Sequence, residues 1–242
     1  MQAKPPLLSA LGYNPPMDDL TTIQRLAVLI LPVLFAITVH EAAHGWVAKR
    51  LGDATASMLG RVTLNPFKHI DPVGTVVVPL AMYLITGYQS DWQSPFLFGW
   101  AKPVPVSWLN LGNPRRDMAL VALAGPGANF IMAILWAALI KLGVTLGDDY
   151  AWFALPLVYM GSVGVLINAF LMVLNLLPVL PLDGGRIVAS ILPQKFSMIY
   201  SRLEPWGLMI VVALLFSGML SVIINPSVGL VHRLSIWLVG LG

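Results

Sequence analysis

Cysteine is absent from this sequence of 242 residues, and charged side chains are scarce. Without cysteine the chain has neither a disulfide framework nor a catalytic thiolate. Charged residues make up only 10% of the chain, against about 25% in an ordinary soluble domain. A water-soluble fold would therefore lack the polar shell that it needs. The net charge of +3 is small, and we expect no nucleic-acid partner.

Apolar residues are what the chain has in abundance, at 57% of its length with a mean hydropathy of +0.80. Crossing a bilayer takes roughly 20 mostly apolar residues, and several runs reach about that length. The longest runs cover about 23–49, 115–142, 152–177 and 206–224, and a shorter one covers 73–88. We therefore expect an all-α polytopic membrane protein with about five to six transmembrane helices.

The charge pattern orients these spans, because cytoplasmic loops are typically the basic ones. It places the end of the first span inside and residues 1–22 outside, as an extracytoplasmic segment. Those 22 residues lack the basic start and apolar centre of a cleavable signal, so the first span is expected to act as an uncleaved one. The basic residues that indicate the inner side are Lys49, Arg50, Arg61, Lys68, Lys102, Arg115, Arg116, Arg186, Lys195 and Arg202.

Residues 73–108 cannot cross the membrane only once, because the span before them ends, and the span after them begins, on the same side of the membrane. Either 73–88 crosses and 92–108 returns, or both dip into the bilayer and come back. Three prolines and alternating valines predict that 92–108 is extended. Non-helical backbone at membrane depth packs on protein or lines a wet cavity. We therefore expect a short re-entrant, β-like hairpin against the helices.

The C-terminal stretch 226–242 leaves two paths open. It is apolar but carries His232 and Arg233 near its middle, and charge at the centre of a crossing is costly. Whether it crosses the membrane is therefore left open, and the alternative is that it lies at the membrane interface or against the helix bundle.

Residues 38–46 read TVHEAAHGW at the end of the first predicted span and contain the pattern HExxH. On a helix, residues i and i+4 share a face, so His40 and His44 can hold one metal ion. Neutral imidazole suits zinc, and the glutamate of this pattern, Glu41, serves as a general base toward water at the metal. The alternative is a polar helix end whose side chains reach the interface.

A catalytic zinc usually takes a third protein ligand. Asp183 is the strongest candidate, because it follows the span 152–177 on the side where the first span ends. The glycines after it would let the backbone turn, so that the carboxylate faces the bundle. On local sequence alone, it is equally well the N-cap of a following helix. The other candidates are Asp53, His69, Asp71, Asp91, Asp117, Glu204 and His232.

Three motifs in this order resemble the site-2 protease family of intramembrane zinc peptidases. They are HEAAH at the end of a span, AGPGANF within another and NLLPVLPLDGG after a third. LNPFKHIDPVGT and GWAKPVPV are similar to stretches of the short branch of that family, which has a cytosolic active site. The resemblance covers about residues 23–192, and we expect neither a PDZ-like insertion nor CBS domains.

The resemblance implies one Zn²⁺ ion bound by His40, His44 and Asp183, with Glu41 as the catalytic base. It also implies hydrolysis of peptide bonds within or near transmembrane segments of substrate membrane proteins. Asn129, similar to the asparagine of the family's GPxxN, would hold a substrate carbonyl or the oxyanion, or else join helices. Asn175 would orient the Asp183 loop or contact substrate, whereas Asn168 would join helices.

These expectations divide the chain into a protease core, 23–192, and a C-terminal transmembrane helix and tail, 193–242. We expect a multi-pass protein of a prokaryotic inner membrane, with its active site toward the cytoplasm. Its partners would be single-pass or other membrane-protein substrates and the bilayer, with any adaptor or self-association left open. The alternatives are a catalytically silent family member that binds membrane helices, and a metal transporter, which would need a polar path through the whole bilayer.

Overall fold

The computed structural model describes residues 20–78, 80, 81, 84, 99 and 101–241. Regular structure in these ranges is helical, and no β-strand occurs in them. The expected all-α class is thus confirmed for the described part of the chain. The α-helices are α1 (Thr22–Arg50), α2 (Thr55–Met58), α3 (Pro114–Leu146), α4 (Ala151–Asn175), α5 (Asp183–Ile191), α6 (Gln194–Ser201), α7 (Glu204–Phe216) and α8 (Met219–Leu238).

Four of the described helices, α1, α3, α4 and α8, are long and apolar enough to cross a bilayer. The pair α6 and α7 adds a fifth candidate if it is counted as one span, although its two helices are bent by 64°. Five to six spans were expected, and the described residues supply four or up to five. These helices are those of an integral membrane protein.

The starts of the long helices follow from ordinary capping. At the start of α1, Thr21 accepts the Gln24 N–H while the Gln24 side chain accepts the Thr21 N–H. This reciprocal pair satisfies two N–H groups that the first turn cannot. At the start of α3, Asn113 accepts the Arg116 N–H, and Pro114 takes the first helical position, where its missing N–H costs nothing.

The helices α1, α3 and α4 form the centre of the bundle. Leu20, Trp136 and Tyr159 share one buried cluster, so the start of α1 lies beside α3 and α4. Glycine lets α3 and α4 approach closely: a Cβ on Gly161 would lie 2.8 Å from the Trp136 carbonyl oxygen. Small residues serve this purpose widely between membrane helices.

The C-terminal helix α8 packs into the same bundle, against α3 and α4. Its buried Leu220, Ile224 and Val228 share a second apolar cluster with Ala169 of α4. Most of 226–242 belongs to this helix, which packs against the bundle and is also long and apolar enough to cross a bilayer. Whether 226–242 crosses the membrane stays a prediction.

The expectation of one continuous span over 206–224 is wrong, because α7 ends at Phe216 and α8 begins at Met219. Gly218 separates them with φ 72. Only glycine adopts this left-handed conformation readily, and it interrupts the helix within an otherwise apolar run.

Residues 101–107 form neither helix nor strand. The expected re-entrant hairpin falls mostly on 85–98, which lies outside the described residues, as do 79, 82, 83 and 100. A π-helical turn, Pro72–Val77, opens the apolar run before them. How 73–108 crosses or re-enters the bilayer therefore stays a prediction.

Candidate metal centre

His40 and His44 lie one turn apart in the C-terminal half of α1, and both are buried. Their rings meet edge to face, with centroids 4.7 Å apart. The two Nε2 atoms are 3.1 Å apart. The i, i+4 spacing thus brings both imidazoles to one point, as the HEAAH motif predicts.

Asp183 reaches the same point from the first residue of α5. Its Oδ2 lies 3.2 Å from Nε2 of His40 and 3.4 Å from Nε2 of His44. Among the described residues, these three form the one group of histidine, aspartate or glutamate side chains arranged to hold a metal ion. The carboxylate makes no capping hydrogen bond, and Leu182 occupies the N-cap position. The alternative that Asp183 only caps a helix is therefore not what the structure shows.

The hydrogen bonds on the far side of each ring leave both Nε2 lone pairs directed at the site. His44 donates its Nδ1–H to the main-chain carbonyl of Val121, at 2.7 Å. His40 donates its Nδ1–H to Oδ1 of Asn129, also at 2.7 Å. Such partners commonly fix the tautomer and orientation of metal-binding histidines.

The three facing atoms fit one zinc ion. Tetrahedral zinc with ligands at 2.0–2.1 Å places the ligand atoms about 3.3 Å from one another, and the three separations are 3.1, 3.2 and 3.4 Å. Asp183 Oδ2 is also a buried acceptor without a hydrogen-bond donor in the described part of the chain. Two neutral imidazoles and a carboxylate are a common donor set for catalytic zinc, with the fourth position left for water or substrate.

The glycines after Asp183 aim its carboxylate, but not by allowing a sharp turn. Neither has a positive φ, since both lie in the first turn of α5. A Cβ on Gly184 would overlap the main-chain carbonyls of Leu176 and Leu177. The glycines therefore let α5 begin directly against the chain that follows α4, which brings Asp183 to α1.

Helix α3 forms a wall of the site through its main chain. A Cβ on Gly125 would lie 2.6 Å from Nε2 of His40 and closer still to Nε2 of His44. The next residue, Pro126, has no N–H and disturbs the preceding helical turn. The carbonyl that loses its helical donor is that of Ala122. The carbonyl of its neighbour Val121 accepts the His44 Nδ1–H.

Glu41 follows His40 directly on α1 and is partly buried. Its Oε2 accepts the main-chain N–H of Val104, at 2.8 Å. The proline-rich segment 101–107, expected to lie against the helices, therefore reaches the glutamate of the HExxH motif itself.

The three asparagines occupy different surroundings. Asn129 is buried against His40, and its Nδ2 has no partner within the described ranges. Asn168 and Asn175 each donate Nδ2 to a carbonyl of their own helix, those of Gly164 and Leu171. No bond from Asn175 to the Asp183 loop is seen within those ranges.

Asp53, another candidate ligand, serves a structural purpose. It is fully buried and accepts hydrogen bonds from Thr55, Ser107 and Asn110. Burial alone would raise its pKa, but these donors outweigh burial and hold the pKa of Asp53 below its ordinary value. Asp53 thereby fastens the chain after α1 to the end of the proline-rich segment.

The remaining candidates that the structure describes are not part of the cluster. Asp71 caps the turn that starts at Pro72, and His69 is bonded through Nε2 to the Thr63 carbonyl. Asp117 accepts the Asn113 N–H at the start of α3, and Glu204 is exposed on α7. Asp91 lies outside the described residues.

Sequence reasoning missed two supports of this centre: the Val121 carbonyl and the Val104 N–H. Both are main-chain features, so residue type carries little information about them. The available hints were Gly125-Pro126, which marks a disturbed helical turn, and the prolines on either side of Val104.

Comparisons with known proteins agree with this geometry. The family model described as Peptidase family M50 matches residues 28–147 and 144–218. The chain is 34% identical to "Putative zinc metalloprotease YwhC" of Bacillus subtilis, over 82% of this chain and 84% of that protein. It is 28% identical to "Putative zinc metalloprotease Rip2" of Mycolicibacterium smegmatis, over 84% of this chain and 73% of that protein. No solved structure matches significantly.

The family match covers most of the chain, and the resemblance drawn from the three motifs is confirmed. The chain therefore belongs to peptidase family M50, the site-2 proteases, as an integral membrane zinc metalloprotease.

Proposed function

We propose that this protein is an intramembrane zinc endopeptidase that hydrolyses peptide bonds within or near transmembrane segments of other membrane proteins. One observation carries the proposal: Nε2 of His40, Nε2 of His44 and Oδ2 of Asp183 converge within 3.4 Å of one another. This convergence is buried among helices apolar enough to span a bilayer. A metal centre surrounded by such helices suits a substrate that is itself in the membrane.

The position along α1 supports a site at membrane depth but away from the midplane. His40 lies 17 positions after Ile23 on this helix, which is about 25 Å at 1.5 Å per residue. His44 lies only about 9 Å from Arg50 by the same rise. Since Lys49 and Arg50 end this helix, the basic-loop rule favours a site toward the cytoplasmic side.

The chemistry divides between the ion and the chain. When bound by His40, His44 and Asp183, zinc supplies Lewis acidity, which polarises the scissile carbonyl and makes water more acidic. Glu41 then accepts the proton of the attacking water and returns it to the leaving nitrogen, as general base and acid. Because the ligands and Asn129 are buried, charge that develops in the reaction interacts strongly with the groups around it.

Asn129 has a donor to spare for the substrate. Its oxygen is occupied by His40, whereas Nδ2 is buried and has no partner in the described ranges. We assign Nδ2 to a substrate carbonyl or to the oxyanion that forms from it, an interaction worth roughly 3–4 kcal/mol elsewhere. Asn175 keeps its Oδ1 and one of its two Nδ2 hydrogens for substrate, because the other hydrogen is bonded to the Leu171 carbonyl.

The partners follow from this assignment. The substrates are single-pass or other membrane proteins, the protein spans a prokaryotic inner membrane several times, and the bilayer surrounds it. Zinc is the one cofactor.

A comparison of two variants tests the proposal, because the chain has only two glutamates, Glu41 and Glu204. The full chain is purified in detergent, its zinc is measured by mass spectrometry, and cleavage of a model transmembrane substrate is followed. We expect Glu41→Gln to retain one zinc ion and lose cleavage by roughly 100-fold or more. Glu204→Gln, an exposed site on α7, should leave both unchanged.

Three outcomes would contradict the proposal. Cleavage by Glu41→Gln would show that Glu41 is not the general base. A wild type that binds zinc and substrate without cutting would be a silent helix-binding member. Transfer of zinc across vesicles containing the protein, without cleavage, would indicate a transporter.

A further inference from the structure

The Glu41 carboxylate is tethered by one of its oxygens. Val104 N–H is its hydrogen-bond donor in the described part of the chain, 2.8 Å from Oε2. Carboxylates held by an N–H form charge-assisted bonds, which are stronger than those between neutral groups. With Oε2 held, Oε1 is the oxygen left to take a proton.

Val104 supplies the one main-chain N–H of residues 103–105. Pro103 and Pro105 stand on either side and carry no N–H, and the proline ring restricts the backbone to extended conformations. The Val104 side chain is buried, and its Cγ1 would lie 3.1 Å from a Cβ on Gly45 of α1. The valine therefore seats the segment on the helix that carries Glu41.

Arg61 binds the beginning of this segment through main-chain carbonyls. Its guanidinium donates from NH2 to the carbonyls of Lys102, at 3.0 Å, and Pro103, at 3.3 Å. It also donates from NH1 to the carbonyl of Lys68. A planar guanidinium with five donors suits such a set of acceptors better than an ammonium group.

Two further bonds hold the ends of the segment. Lys102 N–H donates to the His69 carbonyl, at 2.9 Å, and Ser107 N–H donates to Asp53, at 2.7 Å. These bonds thus hold the segment 102–107 at both ends. The Val104 N–H in its middle donates to Glu41. The Arg61 side chain thus links Lys68, in the loop after α2, to Lys102 and Pro103, which precede Val104.

We propose that Arg61 is a positioning residue for the general base. Its guanidinium fixes Lys102 and Pro103, which places the Val104 N–H on Oε2 of Glu41 and leaves Oε1 as the oxygen that accepts the proton. The inference rests on the proposed function in taking Glu41 as the base. Fixing a catalytic carboxylate in one orientation raises the turnover rate rather than substrate affinity.

Hydrogen exchange at the Val104 N–H measures its bond to Glu41 and does not require cleavage of a substrate. Since Pro103 and Pro105 have no amide proton, Val104 carries the one main-chain N–H between Lys102 and Val106, and NMR of the 15N-labelled full chain follows its exchange as a single resonance. We expect Arg61→Ala to accelerate exchange at Val104 roughly tenfold or more. Lys102→Ala is the matched control, because it also removes one positive charge. The Lys102 side chain is exposed and has no bond to any described residue, and the main-chain bonds of Lys102 remain. Unchanged Val104 exchange in Arg61→Ala overturns the proposal.

Cleavage kinetics of the zinc-loaded full chain test whether the hydrogen bond from Val104 to Glu41 affects turnover. Replacing Val104 by its α-hydroxy acid converts the N–H to an ester oxygen and keeps the side chain. The same replacement at Val106, whose N–H has no partner in the described ranges, is the control. We expect the ester at 104 to retain zinc and to lower kcat roughly tenfold or more, with KM within about twofold. Arg61→Ala should do likewise, and Arg61→Lys should recover part of the loss.

The result can be separated from a failure of the proposed function. If the wild type does not cleave, or if Glu41→Gln does, the assignment of Glu41 as the base fails. The exchange measurement still shows whether Arg61 holds the Val104 N–H in place. If the wild type cleaves and the ester at 104 leaves kcat unchanged or raises it, the base assignment stands and the positioning role is overturned.

Discussion

Gly125 of α3 and His40 of α1 are in such close contact that a Cβ at position 125 would lie 2.6 Å from Nε2 of His40. The two helices meet at this point because glycine has no side chain. One wall of the metal centre is therefore bare backbone, and the room for an ion depends on a missing methyl group.

Gly125→Ala should abolish zinc binding. The added Cβ falls on the ligand atoms of His40 and His44, and a buried pair of helices has little freedom to separate. We expect zinc content to fall from one ion to near zero, with cleavage lost alongside. Gly127→Ala is the control, since a Cβ there meets nothing within 4 Å. Full zinc content in Gly125→Ala would refute the placement of the site.

Asp183→Asn should release the metal while keeping the side-chain shape. The change removes a charged ligand, and loss of a residue that merely supports a ligand already costs roughly 10–100-fold in affinity. We expect zinc affinity to fall by more than about 100-fold, measured by competition with a chelator. Asp149→Asn makes the same chemical change at an exposed residue and should have no effect. Undiminished affinity in Asp183→Asn would require another third ligand.

Asn129→Ala separates two roles of one side chain. Loss of the Oδ1 bond to His40 should weaken zinc binding roughly 10–100-fold. If Nδ2 also serves the oxyanion, kcat at saturating zinc should fall about 100-fold or more. Asn168→Ala, which removes a bond within α4, should change neither. Normal kcat at saturating zinc would leave Asn129 with the orienting role alone.

Asp53 should make the stability of the fold depend on acid. Its folded-state pKa lies below the ordinary value, so its contribution is complete above the unfolded pKa of about 3.9. The contribution is lost as pH falls through the lower folded pKa. We expect Asp53→Asn to lower Tm at pH 7, with the gap to the wild type shrinking below about pH 4. A gap that is constant from pH 7 to pH 3 would contradict this role.

The sequence predicts the three central helices well because apolar length and capping residues coincide there. The ends of α1 and α3 lie within a residue or a few of the expected ones. The break between α7 and α8 escaped prediction, because one glycine in an apolar run is also tolerated inside helices. Whether Gly218 adopts its left-handed conformation depends on what α8 packs against.

The candidate site divides in the same way. His40 and His44 follow from a spacing, and Asp183 from a resemblance that chose between ligand and helix cap. The contacts of Val104 and Val121 belong to the main chain, which every residue possesses, so only the folded arrangement shows which carbonyl and which N–H are used.

The three ligand atoms come from distant parts of the chain: the imidazoles from its first helix and the carboxylate from the segment after α4. An ion held by all three is therefore a cross-link in a protein that has no cysteine to make one. Its binding energy adds to the cohesion of the helices. Chelation should accordingly lower Tm as well as silence the enzyme, and added zinc should restore both together.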